Sequence, residues 1–151
     1  MKKSNYIFRF FIIISFLSFL LQGCSNIRLI SDYDEITDVT VNNLQRNVSA
    51  FFVKMERTIG TDSAKYENNI AFYDDAKVDL DILSVRAKAF EKNGIVEKQV
   101  KALSQMFSDL ESLHKIGFVD ASQIEPLKQP FNSAFTAIIK LQMALKRGDG
   151  K

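Results

Sequence analysis

TDVTVNNLQRNVSAFFVKM, Thr37–Met55, carries the clearest periodic signal in the chain. Thr37, Val41, Leu44, Val48, Phe51 and Met55 recur at alternating steps of four and three. On a helix those steps stack side chains on one face, whereas a strand would need every second residue. Ser31-Asp32-Tyr33-Asp34 before the stretch resembles a capping box, and Gly60 after it is a natural stop. The pattern predicts an amphipathic helix with one apolar seam.

The same period returns three times. Tyr66, Tyr73, Leu80 and Ala87 alternate with Asn69, Ala76, Leu83 and Phe90, in a segment of about 30 residues that starts near Asp62–Glu67 and stops at Asn93-Gly94. Val96, Val100, Leu103, Phe107 and Leu110 form a third seam, ending at Gly117. Leu127, Phe131, Ala134, Ile138, Leu141 and Leu145 form a fourth, ending at Gly148. Four such segments joined by turns of a few residues predict an all-α, antiparallel up-down four-helix bundle over 32–151. Before the last segment, Asp120 reads as an N-cap with Gln123 as its partner, and Val119 and Ile124 have staple spacing. Pro126 and Pro130 each remove a backbone donor. They predict a short extra helix near 121–128, a break acting as a hinge or a corner, and the last long helix from about Pro130.

The chain upstream of the bundle is of another kind. Lys2, Lys3 and Arg9 precede a run from Phe10 to Leu21 that is apolar apart from Ser15 and Ser18. That is the layout of a secretory leader, with an apolar run short for a bilayer span. Leu21-Gln22-Gly23-Cys24 closes it, and Cys24 is the single cysteine. This motif resembles the lipobox of bacterial lipoproteins: Leu21 and Gly23 match the positions read by the signal peptidase, while Gln22 departs from the usual small or β-branched residue. The resemblance implies that 1–23 is a signal peptide, and that Cys24 is lipidated with diacylglyceryl and palmitate-type chains and becomes the mature N-terminus. A cysteine suits that role because its thiolate is a soft nucleophile, and two acyl chains hold where one does not. Ser25, in place of a retention aspartate, implies delivery to the outer membrane of a Gram-negative envelope, facing the periplasm. Residues 24–31 then serve as a lipidated cysteine and tether, whose seven residues after Cys24 reach at most about 25 Å. Ser31-Asp32-Tyr33-Asp34, Phe72-Tyr73-Asp74 and Phe131-Asn132-Ser133-Ala134-Phe135-Thr136 resemble segments of small proteobacterial lipoproteins, a group that implies no activity.

Setting the leader aside changes the balance of charge. The full chain holds 20 basic and 18 acidic residues; without Lys2, Lys3 and Arg9 the basic count is 17. A near-neutral domain argues against nucleic acid as a partner. The lipobox resemblance implies instead the membrane, through Cys24, and an envelope protein as partners. With its only cysteine lipidated, the domain has no disulfide, and its stability must come from the core.

The chemistry-bearing patterns are few. Glu111-Ser112-Leu113-His114 has the E-x-x-H spacing of di-iron bundles, but such sites need two histidines and His114 is the only one. The pair reads as a contact between surface neighbours on one helix face. Met55 and His114 fall at the same end of an antiparallel bundle, where a Met/His pair can ligate haem; no C-x-x-C-H attachment motif accompanies them. Asp74, Asp75, Asp79 and Asp81 lack the glycine-bearing loop of a calcium site. Arg147-Gly148-Asp149 spells an adhesion tripeptide but reads as a helix C-terminus. No glycine-flanked serine elbow or phosphate loop is present. The sequence is therefore read as a non-enzymatic interaction or accessory module, with no catalytic residues, cofactor or metal. The alternative is a bundle binding haem, a metal or a lipid-like molecule near Met55, Phe107 and His114. The first reading predicts no deep pocket of convergent ionisable groups near His114.

Overall fold

The computed structural model describes residues 30–149. Leu21, Gly23 and Cys24 lie outside the described residues. Four helices follow one another: α1 Glu35–Thr58, α2 Ile70–Ala89, α3 Gly94–Ile116 and α4 Ile124–Asp149. Three single 3-10 turns, Asp62–Ala64, Tyr66–Asn68 and Ala121–Gln123, lie between them. Each helix packs on two neighbours, α1 on α2 and α4, and α3 on α2 and α4. The arrangement is a four-helix bundle with helices one and three on a diagonal.

Cross-links fix the antiparallel sense. Arg86 near the end of α2 grips Asp34 at the start of α1, its Nε and Nη2 each 2.6 Å from a carboxylate oxygen. At the other end Lys54 Nζ donates to Asn69 Oδ1 at 2.6 Å. Lys128, early in α4, meets Glu56 late in α1 at 2.8 Å, and Lys146 sits over the Tyr33 ring. The predicted seams of α1 and α3 are buried along their whole length. Alternating inward residues of all four helices form one core, in which Leu44, Phe52, Met55, Leu83, Leu103 and Ile138 are 0 % exposed.

Several local expectations are corrected. The cap of α1 is Asp34 itself, accepting from the Thr37 amide at 3.2 Å; Ser31 instead donates to Asn93 Oδ1 across the bundle end. The segment read as a helix from Asp62 contains two 3-10 turns, and α2 starts only at Ile70. Asn69 is the reason. Its buried Nδ2 donates to the carbonyls of Ser63 and Lys65, at 2.9 and 2.7 Å, and its own amide donates to Tyr66. Those bonds close the segment into a compact loop rather than a helical ladder. Gly60 and Gly117 take positive φ as helix-ending glycines do. Between α2 and α3, however, the positive φ falls on Lys92, and Gly94 opens α3.

The predicted break before the last helix is also absent. Ala121–Gln123 is one 3-10 turn, and α4 then runs unbroken from Ile124 to Asp149 with Pro126 in its first turn and Pro130 inside it. A first-turn residue has no intrahelical partner for its N–H, so Pro126 removes no bond. Pro130 forfeits the bond to the carbonyl of Pro126, an exposed residue whose oxygen water can serve. Inward packing of Ile124, Phe131, Phe135 and Ile138 carries the helix across. Val119 is 80 % exposed, so it forms no staple with the buried Ile124. Asp120 does cap, accepting from the Ser122 amide at 2.7 Å, while Gln123 accepts from Val119.

Candidate functional site

One polar cluster is built into the end of the bundle where α1 and α3 finish. Glu111 and His114 are both buried, at 8 % and 1 % exposure, so the expectation of a surface pair fails. The two side chains serve different partners. Glu111 accepts from Tyr66 Oη at 2.7 Å and from Lys77 and Lys115 at 3.1 and 2.9 Å. Burial pushes its pKa up, but the hydrogen bonds from Lys115, Tyr66 and Lys77 outweigh that and bring it down to about 2. Glu111 is thus a held anion.

His114 is held by both ring nitrogens. Nε2 lies 2.7 Å from the Ala64 carbonyl and Nδ1 lies 2.8 Å from Tyr73 Oη. A carbonyl can only accept, so Nε2 carries the proton and Nδ1 of the neutral ring accepts from the Tyr73 hydroxyl. Burial lowers the His114 pKa, against the raising effect of the Ala64 carbonyl. Phe118 stacks on the imidazole with centroids 4.8 Å apart, and Phe51 and Tyr66 meet its edge. Burial, followed by the charge on Glu111, drives the Tyr73 pKa strongly upward, so its hydroxyl remains a donor.

Met55 and His114 do lie at the same end, since Phe51, one turn before Met55, touches the His114 ring at 5.5 Å. Met55 is fully enclosed in the core. A metal or haem ligated by His114 would have to displace Tyr73 or Ala64 from a ring nitrogen. Among the described residues, no group of three or more His, Cys, Asp or Glu side chains is placed to hold a metal ion. None of their helices is long and apolar enough to cross a membrane.

An open cleft of about 450 Å³ lies over this cluster, with Lys65, Tyr66, Glu67, His114, Lys115 and Phe118 among its lining. An ionisable-lined cleft at this place departs from the expectation of none near His114. Its charges are largely committed to one another: Lys65 pairs with Asp62 at 2.6 Å, and Lys115 pairs with Glu111 while covering the Tyr66 ring. His114 is closed at both nitrogens and Glu111 is neutralised by two lysines, while the Glu67 carboxylate completes the charged lining. The cluster links α2, α3 and the 62–68 loop through Tyr66–Glu111, Lys77–Glu111, Tyr73–His114 and Ala64–His114.

The E-x-x-H spacing marks Glu111 and His114, whereas Tyr66, Tyr73 and Asn69 stand out in the sequence only as members of a core seam. The available signal was chemical: a seam that carries Tyr, Asn and Tyr must supply partners for their polar tips. Comparison with protein-family models, with curated proteins and with solved structures yields no match to the chain.

Proposed function

We propose that this chain is a lipid-anchored protein of the bacterial cell envelope, held through Cys24 at the outer membrane and facing the periplasm, where its helical bundle acts as a non-enzymatic interaction or accessory module. The observation that carries this reading is Leu21-Gln22-Gly23-Cys24 at the end of the apolar run, followed by Ser25. The tether enters the bundle at a firmly held point, because Ser31 is tied to Asn93 and Asp34 to Arg86. The internal commitment of Glu111, His114, Tyr73 and Lys115 supports a structural rather than a catalytic use of the polar cluster. The same closure of both His114 nitrogens weighs against haem or a metal as ligand.

The test is metabolic labelling with an alkyne-bearing fatty acid, with intact mass of the purified protein. The wild-type chain is expected to take up label, partition with membranes and begin at a diacylated Cys24. Cys24→Ser is expected to lose the label without loss of the helical far-UV signal. An unlabelled wild-type chain, or label that persists in Cys24→Ser, would overturn the anchor.

A further inference from the structure

Helix α2 carries apolar residues on two opposite faces. Its inner face places Tyr73, Ala76, Leu80, Leu83 and Ala87 in the core. Its outer face carries Ala71, Val78, Ile82, Val85 and Ala89, all exposed, at the steps of seven, four, three and four that draw one straight stripe along a helix. Val78 is 59 % and Val85 68 % exposed. A surface helix of a bundle ordinarily puts polar side chains on this face. β-Branched residues also lower helix propensity. Here they cost helical stability while Val78 and Val85 remain more than half exposed.

The border of the stripe is acidic. Asp74, Asp75 and Asp81 are exposed beside it, and Asp79 lies further round the same helix. Nearby cations face elsewhere: Lys77 lies 3.1 Å from Glu111 and reaches Asp74 only at 3.9 Å, and Arg86 is bound to Asp34. Lys88 stands at the far end of the stripe. Burial, and then the charge of Asp75 one turn away, raise the Asp79 pKa.

We propose that the outer face of α2 docks a cationic amphipathic helix of a partner protein, its apolar residues lying along Val78, Ile82 and Val85 and its lysines or arginines facing Asp74, Asp75 and Asp81. The 3–4 spacing is that of a seam between two helices, and the charged border selects the sign of the partner. A second copy of the chain is a poorer fit. In the antiparallel register that sets Asp81 against its own copy, Lys88 falls opposite Asp74 of the other chain, but Asp75 falls opposite Ala87 and Asp81 meets a like charge, so two of the three carboxylates find no cation. An anionic membrane surface is repelled by the same carboxylates. This assignment rests on the interaction-module reading of the domain and is independent of the anchor.

The test uses the full chain in neutral-lipid nanodiscs and two labelled peptides of about 20 residues. One carries leucines at heptad spacing flanked by lysines; the other has glutamates in place of those lysines. Fluorescence anisotropy is expected to show saturable binding of the lysine peptide, weakened about tenfold or more in Val78→Asp/Val85→Asp. Asp74→Asn/Asp75→Asn/Asp81→Asn should weaken it several-fold, as should raising salt from about 50 to about 500 mM. The glutamate peptide should bind far more weakly. These positions are exposed, and thermal melts by circular dichroism check that each variant folds. Equal binding to wild type and Val78→Asp/Val85→Asp, or equal binding of both peptides, would overturn the proposal. So would a dimer in sedimentation that Val85→Asp dissolves, because the face would then belong to a second copy. Failure here with Cys24 still labelled sinks the docking face and leaves the anchor standing.

Discussion

Replacing Glu111 by Gln removes one charge from a site that three donors hold as an anion. The amide can still accept from Tyr66, so the change isolates the charge itself. The carboxyl titrates at about 2 in the fold, against an ordinary value of 4.5. Its folded value is depressed, so it stabilises the fold fully above pH 4.5, and that stabilisation fades as pH falls through about 2. At about 1.4 kcal/mol per pKa unit, the shift corresponds to a ceiling of about 3 kcal/mol at neutral pH. Less than half of that survives at pH 3. The side chain is only 11 % exposed, so screening removes little of it, although its two lysine partners are about half exposed. The assay is urea unfolding of wild type and Glu111→Gln at pH 7, 5, 4 and 3, followed by circular dichroism at 222 nm. Other carboxylates, Asp34 among them, titrate alike in both proteins and cancel in the difference. The expected result is a gap of about 1–3 kcal/mol at pH 7 that narrows steadily below pH 4.5. A gap that stays constant from pH 7 to pH 3 would mean that the loss comes from packing and not from charge, and that Glu111 is not held as an anion.

Three further outcomes are expected. His114→Phe keeps the ring stack on Phe118 but leaves the Tyr73 hydroxyl and the Ala64 carbonyl without their partner, costing about 2–4 kcal/mol in denaturant unfolding; in the wild type, the His114 ring proton shift should titrate below pH 6.5, so that its stabilising effect is complete above 6.5 and declines as pH falls through the folded value. Asn69→Ala strips two carbonyls and Lys54 of their partner, and should cost about 2–3 kcal/mol while raising amide exchange across 62–69 first. Pro130→Ala restores a donor to the Pro126 carbonyl in a helix that is already continuous, and should raise the melting temperature; a lower value would mean that the proline ring itself packs favourably.

The seams of α1 and α3 were legible because their period survives whatever the neighbours are. Thr37 to Met55 and Val96 to Leu110 are each buried as read. The helix stops at Gly60 and Gly117 were legible for the same local reason, since positive φ strongly favours glycine. The start of α2 was not. Asp62 and Glu67 look like a first helical turn, and only the folded chain shows that the Asn69 amide occupies the carbonyls of Ser63 and Lys65. The prolines misled in the opposite direction, because their cost depends on where the helix begins and whether the freed carbonyl meets water. At the polar cluster, the spacing of Glu111 and His114 was visible, but their partners Tyr66 and Ala64 lie 45 and 50 residues away.

By itself, the sequence determined that this is an all-helical bundle, because a four-three spacing can bury its apolar residues only along one face of a helix. It also determined the chemistry available, with one histidine and one cysteine, and so bounded what a site could hold. Tertiary structure decided what those residues do. Burial, which no local pattern records, turned a pair that looked exposed into a closed anion site and a neutral imidazole. It also left Val78, Ile82 and Val85 outside a core that was already full. Spacing along a chain assigns residues to faces, but only packing determines which face meets protein, which meets water and which hydrogen bonds are already taken.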